Sequence, residues 1–180
     1  MGLRKASAYS KKRFVAYTRI SKRKNKSYIK AVPPQKIVKF AMGDQPGFAQ
    51  EKLPYHLTLI TEEKCQIRHN ALEACRQFIN RKLELSFPGQ FYFRVMVFPH
   101  HIQREHRMLT GAGADRMSAG MQLSFGKAMG KAAIMKEGEG IFFLALNSPK
   151  AVAFTRHLFK QIKAKLPCKT RAVYEEVKKI

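Results

Sequence analysis

The chain has 180 residues, of which 45% are hydrophobic, so it holds enough apolar material for a folded core and is not wholly disordered. Lys and Arg number 35 against 12 Asp and Glu, which gives a formal net charge of +23. Such an excess opposes compaction unless an anionic partner screens it, which disfavours a free enzyme. The sequence has no apolar run that could span a membrane, and its basic N-terminus does not read as a secretory signal. We therefore expect a cytoplasmic protein held against a polyanion.

More than half of the excess charge lies in the first quarter of the chain, because residues 1–43 contain 13 Lys or Arg and no acidic residue. Aromatic residues such as Tyr9, Tyr17 and Tyr28 are interleaved with these cations, and no helical period runs through residues 1–30. One interpretation is a solvated, disordered tail. The interleaved rings favour an arm that becomes ordered on RNA, with the rings stacking on bases. Residues 1–32 are therefore predicted to form a basic arm, whose phosphate-binding residues would be Lys11, Lys12, Arg13, Arg19, Lys22, Arg23, Lys24 and Lys26.

Residues 33–180 are predicted to form a single α+β domain. Alternation of apolar and polar residues predicts strands at about 36–42, 55–60 and 91–97. The apolar run 141–146 predicts a buried strand, residues 170–174 a last short strand, and residues 122–135 contain an extended segment. Helical spacing predicts one helix over 67–85, with Arg68, Glu73, Arg76 and Lys82 on its outer face. A second helix begins at Pro149 after the cap residue Ser148, and it buries Val152, Thr155, Phe159, Ile162 and Leu166. This order predicts two helices packed on one mostly antiparallel sheet.

The connection after the third strand is the most informative segment. Residues 100–120 contain little apolar content, three His and three Arg, and the small residues 111–114 allow a ligand to approach the backbone closely. A long connection inside a compact domain is commonly functional, so we predict a functional loop at about 100–116; the alternative is a mobile surface loop. Residues 126–131 follow as a ribbon of glycine and lysine, in which Lys127 and Lys131 would contact phosphates.

Several other chemistries are disfavoured by spacing. His100, His101 and His106 lack the spacing of a metalloprotease pair, and the glycine-lysine ribbon fails the Walker A pattern at Ala132. The chain has no C-x-x-C pair, so we expect Cys65, Cys75 and Cys168 to be reduced, partly buried thiols. The sequence therefore predicts no catalytic residue, no metal, no cofactor and no small-molecule substrate.

At this point a set of motifs resembles a known family, the universal large-subunit ribosomal proteins called L-ten-e in archaea and eukaryotes and L-sixteen in bacteria. The similar segments are 111–117, 120–121, 125–127, the helix opening 66–74, the motif Phe98-Pro99-His100-His101, and shorter matches at 17–19, 28–33 and 36–43. The resemblance runs from about residue 15 to Pro167 and is closest to the archaeal and eukaryotic branch. Ala128 and Gln122 depart from the usual family residues.

The resemblance implies a fold of the α/β-hammerhead type and a place in the large ribosomal subunit, beside tRNA and near the peptidyl transferase centre. It implies that the chain is not an enzyme, and that its partners are large-subunit rRNA, A-site and P-site tRNA and neighbouring ribosomal proteins. The implied rRNA-binding residues beyond the arm are Arg68, His69, His100, Arg116, Lys127 and Lys131. The loop near the peptidyl transferase centre would comprise His101, Gln103, Arg104, His106, Arg107, Met108, Gly111 and Gly113.

Two other classes of protein fit the charge. A DNA-binding or architectural protein would need a recognition helix whose side chains read bases. An RNA-modifying enzyme would need a nucleophile with a paired base, or a cofactor loop, and the sequence shows neither. A structural constituent of the large subunit is the function that we predict.

Overall fold

A computed structural model describes residues 16–18, 29–105 and 127–177 of the chain. The elements are, in order, β1 (Ala41–Gly43), α1 (Gln45–Ala49), β2 (Tyr55–Thr61), β3 (Cys65–Arg68), α2 (His69–Ser86), β4 (Phe91–Val95), β5 (His101–Glu105), β6 (Lys127–Met135), β7 (Gly140–Leu146), α3 (Pro149–Ile162), a short 3-10 helix (Lys163–Lys165) and β8 (Thr170–Glu176). The mixture of antiparallel strands and helices confirms the predicted α+β class.

The larger of two sheets holds five antiparallel strands in the order β1-β4-β7-β2-β8. Apolar residues alternate along its central strands, so that every second side chain points to the same face. Leu57, Leu59, Phe93, Phe142 and Leu144 occupy that face and are fully buried. The predicted strands at 55–60, 91–97, 141–146 and 170–174 are all present, with ends shifted by one or two residues.

Helices α2 and α3 pack against this apolar face and against each other. The inner stripe predicted for the second helix, from Val152 to Leu166, is buried as expected. The Ser148 side chain accepts a hydrogen bond from the Ala151 amide, which confirms the predicted cap. Helix α2 differs from its prediction at Glu73, which is 9% exposed because it forms a bidentate pair with Arg76 instead of pointing into solvent.

The second sheet holds three antiparallel strands in the order β3-β6-β5, where the sequence predicted a single sheet. Residues 65–68 form β3 and not the first turn of a helix, because Ile67 pairs with Ala133 of β6 and helix α2 begins only at His69. Residues 101–105, predicted to be loop, form β5 and pair with the same central strand. Strand β6 is continuous from Lys127 to Met135, so Gly130 does not interrupt it.

Two local differences lie near β1. The predicted strand over 36–42 reduces to Ala41–Gly43, although Ile37 is still buried against the core. Helix α1 was not predicted; it begins after Asp44, whose carboxylate accepts a hydrogen bond from the Gly47 amide at 2.9 Å, with Pro46 in the first turn. Five residues are too few for a helical period to show in a sequence.

Candidate nucleic-acid interface

One face of the three-stranded sheet collects polar side chains over small residues. Arg68 and His101 lie on opposite sides of Ala132 in the pairing register, and Gln103 lies opposite Gly130. Residues directly opposite each other in antiparallel strands point to the same face, so these side chains share one face of the sheet. Gln66 joins them, because it lies two residues before Arg68 on β3. The sequence-distant segments 66–68 and 101–103 therefore supply one polar surface.

Residues 16–18, one of the two described parts of the arm, are attached to the outer edge of β5. The Tyr17 amide donates to Nδ1 of His101 at 3.0 Å, and the Ile102 amide donates to the Tyr17 carbonyl at 2.9 Å. Because Nδ1 of His101 accepts a hydrogen bond, the ring carries its proton on Nε2. The guanidinium of Arg104 lies 3.8 Å from the centre of the Tyr17 ring, a cation–π contact. One face of this ring is therefore covered, whereas the sequence had predicted a ring open to bases.

His69 lies at the first turn of α2 within a cationic cluster formed by Lys36, Arg68 and Lys131. The His69 side chain is 3% exposed, and its Nδ1 has no hydrogen-bond partner among the described residues. Burial, together with the three cations, lowers the pKa of His69 to about 4. The imidazole is consequently neutral at physiological pH, and positive charge in this cluster comes from the lysines and Arg68.

Nothing in the first turn of α2 offsets this charge. Arg68 occupies the N-cap position, no side chain caps the helix, and no acidic residue lies in the first turn. The N-terminus of a helix carries partial positive charge, which cations nearby reinforce. Together, the cluster and the helix end produce a local potential that favours an anion such as a phosphate.

The structure describes three further predicted rRNA-binding residues, of which Lys131 lies on the other face of the small sheet, because it alternates with Ala132 and Gly130 along β6. Lys127 is exposed at the start of β6, Lys131 is half-buried, and His100 is exposed with its Nδ1 3.2 Å from the Phe98 carbonyl oxygen. The side chains of Arg68 and Gln103 are 9% and 3% exposed, so they line the interior of the sheet face and do not project from it. Both amide atoms of Gln103 lack a hydrogen-bond partner within the described residues.

Many predicted residues lie outside the described residues. These are Lys11, Lys12, Arg13, Arg19, Lys22, Arg23, Lys24 and Lys26 of the arm, and His106, Arg107, Met108, Gly111, Gly113 and Arg116 of the loop. The ends of the loop are described, and Glu105 pairs with Lys127 across β5 and β6. The chain thus leaves the small sheet and returns to it at neighbouring positions.

Sequence reasoning missed Lys36 and Gln66 as members of this region. Lys36 was placed in a strand, and Gln66 was taken as the start of a helical segment. The run Cys65-Gln66-Ile67-Arg68 does alternate, which is the signal for a strand with Gln66 and Arg68 on one face. Four residues of alternation are too short to compete with the long helical period that follows.

The arrangement is suited to binding anions. Throughout residues 29–105 and 127–177, His, Cys, Asp and Glu side chains do not come together in threes as metal ligands would. In the same part of the chain, each helix is too short or too polar to cross a membrane. Helix α3 presents a second exposed basic surface with Lys150, Arg156 and Lys160.

The chain is similar in sequence to one protein family and to several known proteins. The model of the family described as ribosomal protein L16p/L10e matches residues 15–173. The large ribosomal subunit protein uL16 of Methanoculleus marisnigri is 42% identical over 161 residues, covering 89% of this chain and 88% of the relative. The protein of the same name from Pyrobaculum arsenaticum is 39% identical over 176 residues, covering 97% and 93%. That from Thermoplasma acidophilum is 40% identical over 166 residues, covering 91% and 89%.

Proposed function

Because the chain belongs to the ribosomal protein L16p/L10e family, we propose that it is a structural, non-enzymatic constituent of the large ribosomal subunit that binds large-subunit rRNA. It is accordingly ribosome-bound and associates with rRNA and with other ribosomal proteins. The observation that carries this proposal is the family match over residues 15–173, the same span that builds the cationic cluster at the start of α2.

The residue-level part of the proposal is that rRNA phosphates lie against the cluster of Lys36, Arg68 and Lys131 and against Lys127 at the start of β6. Every charged group that acts on His69 there is a cation, so a bound phosphate would reduce the electrostatic repulsion among these cations. The imidazoles of His69 and His100 would contribute hydrogen bonds. The arm residues, Arg104 and Arg116 would extend the same contact along the backbone of the rRNA.

A finer part of the proposal concerns tRNA. Residues 106–126 connect Glu105 of β5 to Lys127 of β6, which pair with each other at one end of the small sheet. We propose that the loop residues up to Gly113 approach A-site and P-site tRNA near the peptidyl transferase centre, with His101, Gln103 and Arg104 supporting them from β5. Cytoplasmic localisation belongs to the same proposal.

Salt dependence of rRNA binding tests the first part. If about 6–10 phosphates are neutralised, affinity for large-subunit rRNA should fall about 10³–10⁵-fold between 50 and 200 mM salt. Lys127→Ala should reduce the slope of the logarithmic salt plot by about 1, since one phosphate contact is lost. Lys160→Ala on α3 is the matched control and should leave the slope unchanged. Equal slopes for wild type and Lys127→Ala, or equal affinity for duplex DNA as competitor, would contradict the proposed interface.

Deletion of residues 106–112 tests the tRNA part. The deletion should spare β5, whereas one starting at residue 102 would remove Ile102, which is 2% exposed. Subunits that contain the shortened chain should assemble but accommodate A-site tRNA more slowly. Normal accommodation in such subunits would refute the role of the loop and leave the rRNA interface standing.

A further inference from the structure

Two of the three cysteines are brought together from positions that are far apart in the sequence. Cys65 opens β3 and Cys168 lies just before β8. Thr61 pairs with Thr170 at the ends of β2 and β8. Next to this pair, the Glu62 amide donates a hydrogen bond to the Lys169 carbonyl oxygen at 3.0 Å. The turn after β2 therefore lies beside the segment before β8, and each of these segments carries one of the two thiols.

Cys168 packs against the buried core cluster to which Cys65 belongs. The Cys65 S–H donates a hydrogen bond to the Cys168 sulfur, which lowers the pKa of Cys168 and raises that of Cys65. Both cysteines are free. Cys75 provides the contrast, because it is fully buried in the core and burial alone raises its pKa to about 12.

Solvent reaches the pair from one side only. Cys65 is 1% exposed, whereas Cys168 is half-buried. Cys168 lies on the wall of an open cavity of about 530 Å³. The cavity is also lined by Glu62, Glu63, Lys163, Lys169 and Thr170. A small reagent can therefore meet the Cys168 sulfur first and the Cys65 sulfur only through it.

We propose that Cys65 and Cys168 form a dithiol site that reacts with low-molecular-weight disulfides and closes to an intramolecular disulfide. The Cys168 thiolate attacks one sulfur of the small disulfide, forms a mixed disulfide and releases one small thiolate. Cys65 then gives up its proton to solvent and attacks the Cys168 sulfur, which releases the second small thiolate. Two protein thiols are oxidised to one disulfide while one small disulfide is reduced to two thiols.

Closure would connect the start of β3 to the segment before β8. The bond would close a loop of about 100 residues, for which restriction of the unfolded chain predicts a rise in melting temperature of about 5–15 °C if the native geometry is unstrained. The site is separate from the cationic cluster at α2, and the inference does not depend on the proposed rRNA binding.

The test uses the purified full-length protein incubated with oxidised glutathione at neutral pH, followed by intact mass and peptide mapping without reduction. The expected wild-type product has lost two hydrogens and contains a cross-linked peptide joining Cys65 to Cys168. Cys65→Ser should stop at the glutathione adduct on Cys168, and Cys168→Ser should react at least tenfold more slowly. Cys75→Ser is the matched control and should close as the wild type does.

The wild-type peptide map makes the result independent of how well the variants fold. A protein that keeps all three thiols after this treatment would overturn the inference. So would a glutathione adduct at Cys168 that never resolves, or a cross-link that involves Cys75.

Discussion

The charged pair at the inner edge of α2 allows a stability prediction whose size follows from the geometry. Arg76 donates from Nε to Glu73 Oε2 at 2.7 Å and from Nη2 to Oε1 at 2.6 Å, and Gln77 donates to the same Oε1 at 2.9 Å. The two charged side chains are only 11% and 12% exposed. Arg76 also lies against the Met42 sulfur of β1, so the pair joins the helix to the edge of the large sheet.

Glu73→Gln preserves the shape of the side chain and removes its charge. Its NH₂ group would face a guanidinium donor, so one of the two charge-assisted hydrogen bonds is lost and Arg76 stays buried without a counter-charge. A charge-assisted hydrogen bond contributes about 1.5–3 kcal/mol, and removing one partner of a buried pair costs about 3–5 kcal/mol. Since this pair is not completely buried, we expect a loss of about 3 kcal/mol in the free energy of unfolding.

Urea unfolding followed by circular dichroism at neutral pH measures this loss. Glu84→Gln lies on the exposed side of the same helix and is the matched control, for which a change within about 0.5 kcal/mol is expected. A loss of less than about 1 kcal/mol for Glu73→Gln would refute the reasoning, because the pair would then behave like a solvated one.

The pH dependence of the same difference is a second measurement. The hydrogen bonds from Arg76 lower the pKa of Glu73 in the folded protein below its ordinary value of 4.5. A carboxylate with a lowered folded pKa contributes stability above its unfolded pKa and loses that contribution as the pH falls through the folded value. The stability difference between wild type and Glu73→Gln should therefore be full at neutral pH and shrink below pH 4.5. A difference that grows on acidification would contradict the assignment.

Three further predictions concern single residues. His69 has a pKa of about 4 in the folded protein and an ordinary value of 6.5, so on acidification the unfolded chain binds a proton at this residue before the folded protein does. The free energy of unfolding should therefore fall by about 3 kcal/mol as the pH drops from 6.5 to 4. His69→Gln should flatten this pH dependence, as measured by urea titrations. Gly43→Ala should destabilise the protein at least twice as much as Gly138→Ala. Both glycines have positive φ, but only at Gly43 would a Cβ collide with a backbone atom, the carbonyl oxygen of Phe91; equal shifts in melting temperature would contradict this. Ser148→Ala should cost about 1 kcal/mol in urea unfolding through loss of the cap on α3, and an unchanged midpoint would show that the cap contributes nothing.

Local patterns in the sequence were sufficient for the elements that are long and face one apolar layer. Alternation of period two predicted β2 and β4, and the continuous apolar run 141–146 predicted β7, whose side chains are buried on both faces of the sheet. The period of 3.6 and the pair Ser148-Pro149 predicted α3, since its cap and its stripe are both encoded within one segment. The basic charge and the motifs at 111–127 determined the family, which the match over residues 15–173 confirms.

Tertiary structure alone decided the features that depend on partners distant in sequence. Residues 101–105 carry too few apolar side chains to predict a strand, and they form one because β6 supplies its hydrogen-bonding partners. Glu73 is buried because Arg76 and the edge of the large sheet meet there. The helical spacing of polar residues in the sequence does not show which of their side chains form an ion pair. The pKa of His69 falls to about 4 only through burial among Lys36, Arg68 and Lys131, and the segments that carry Cys65 and Cys168 become neighbours because β2 pairs with β8. Each of these depends on chain segments that meet in space, a relation that short-range periodicity does not contain.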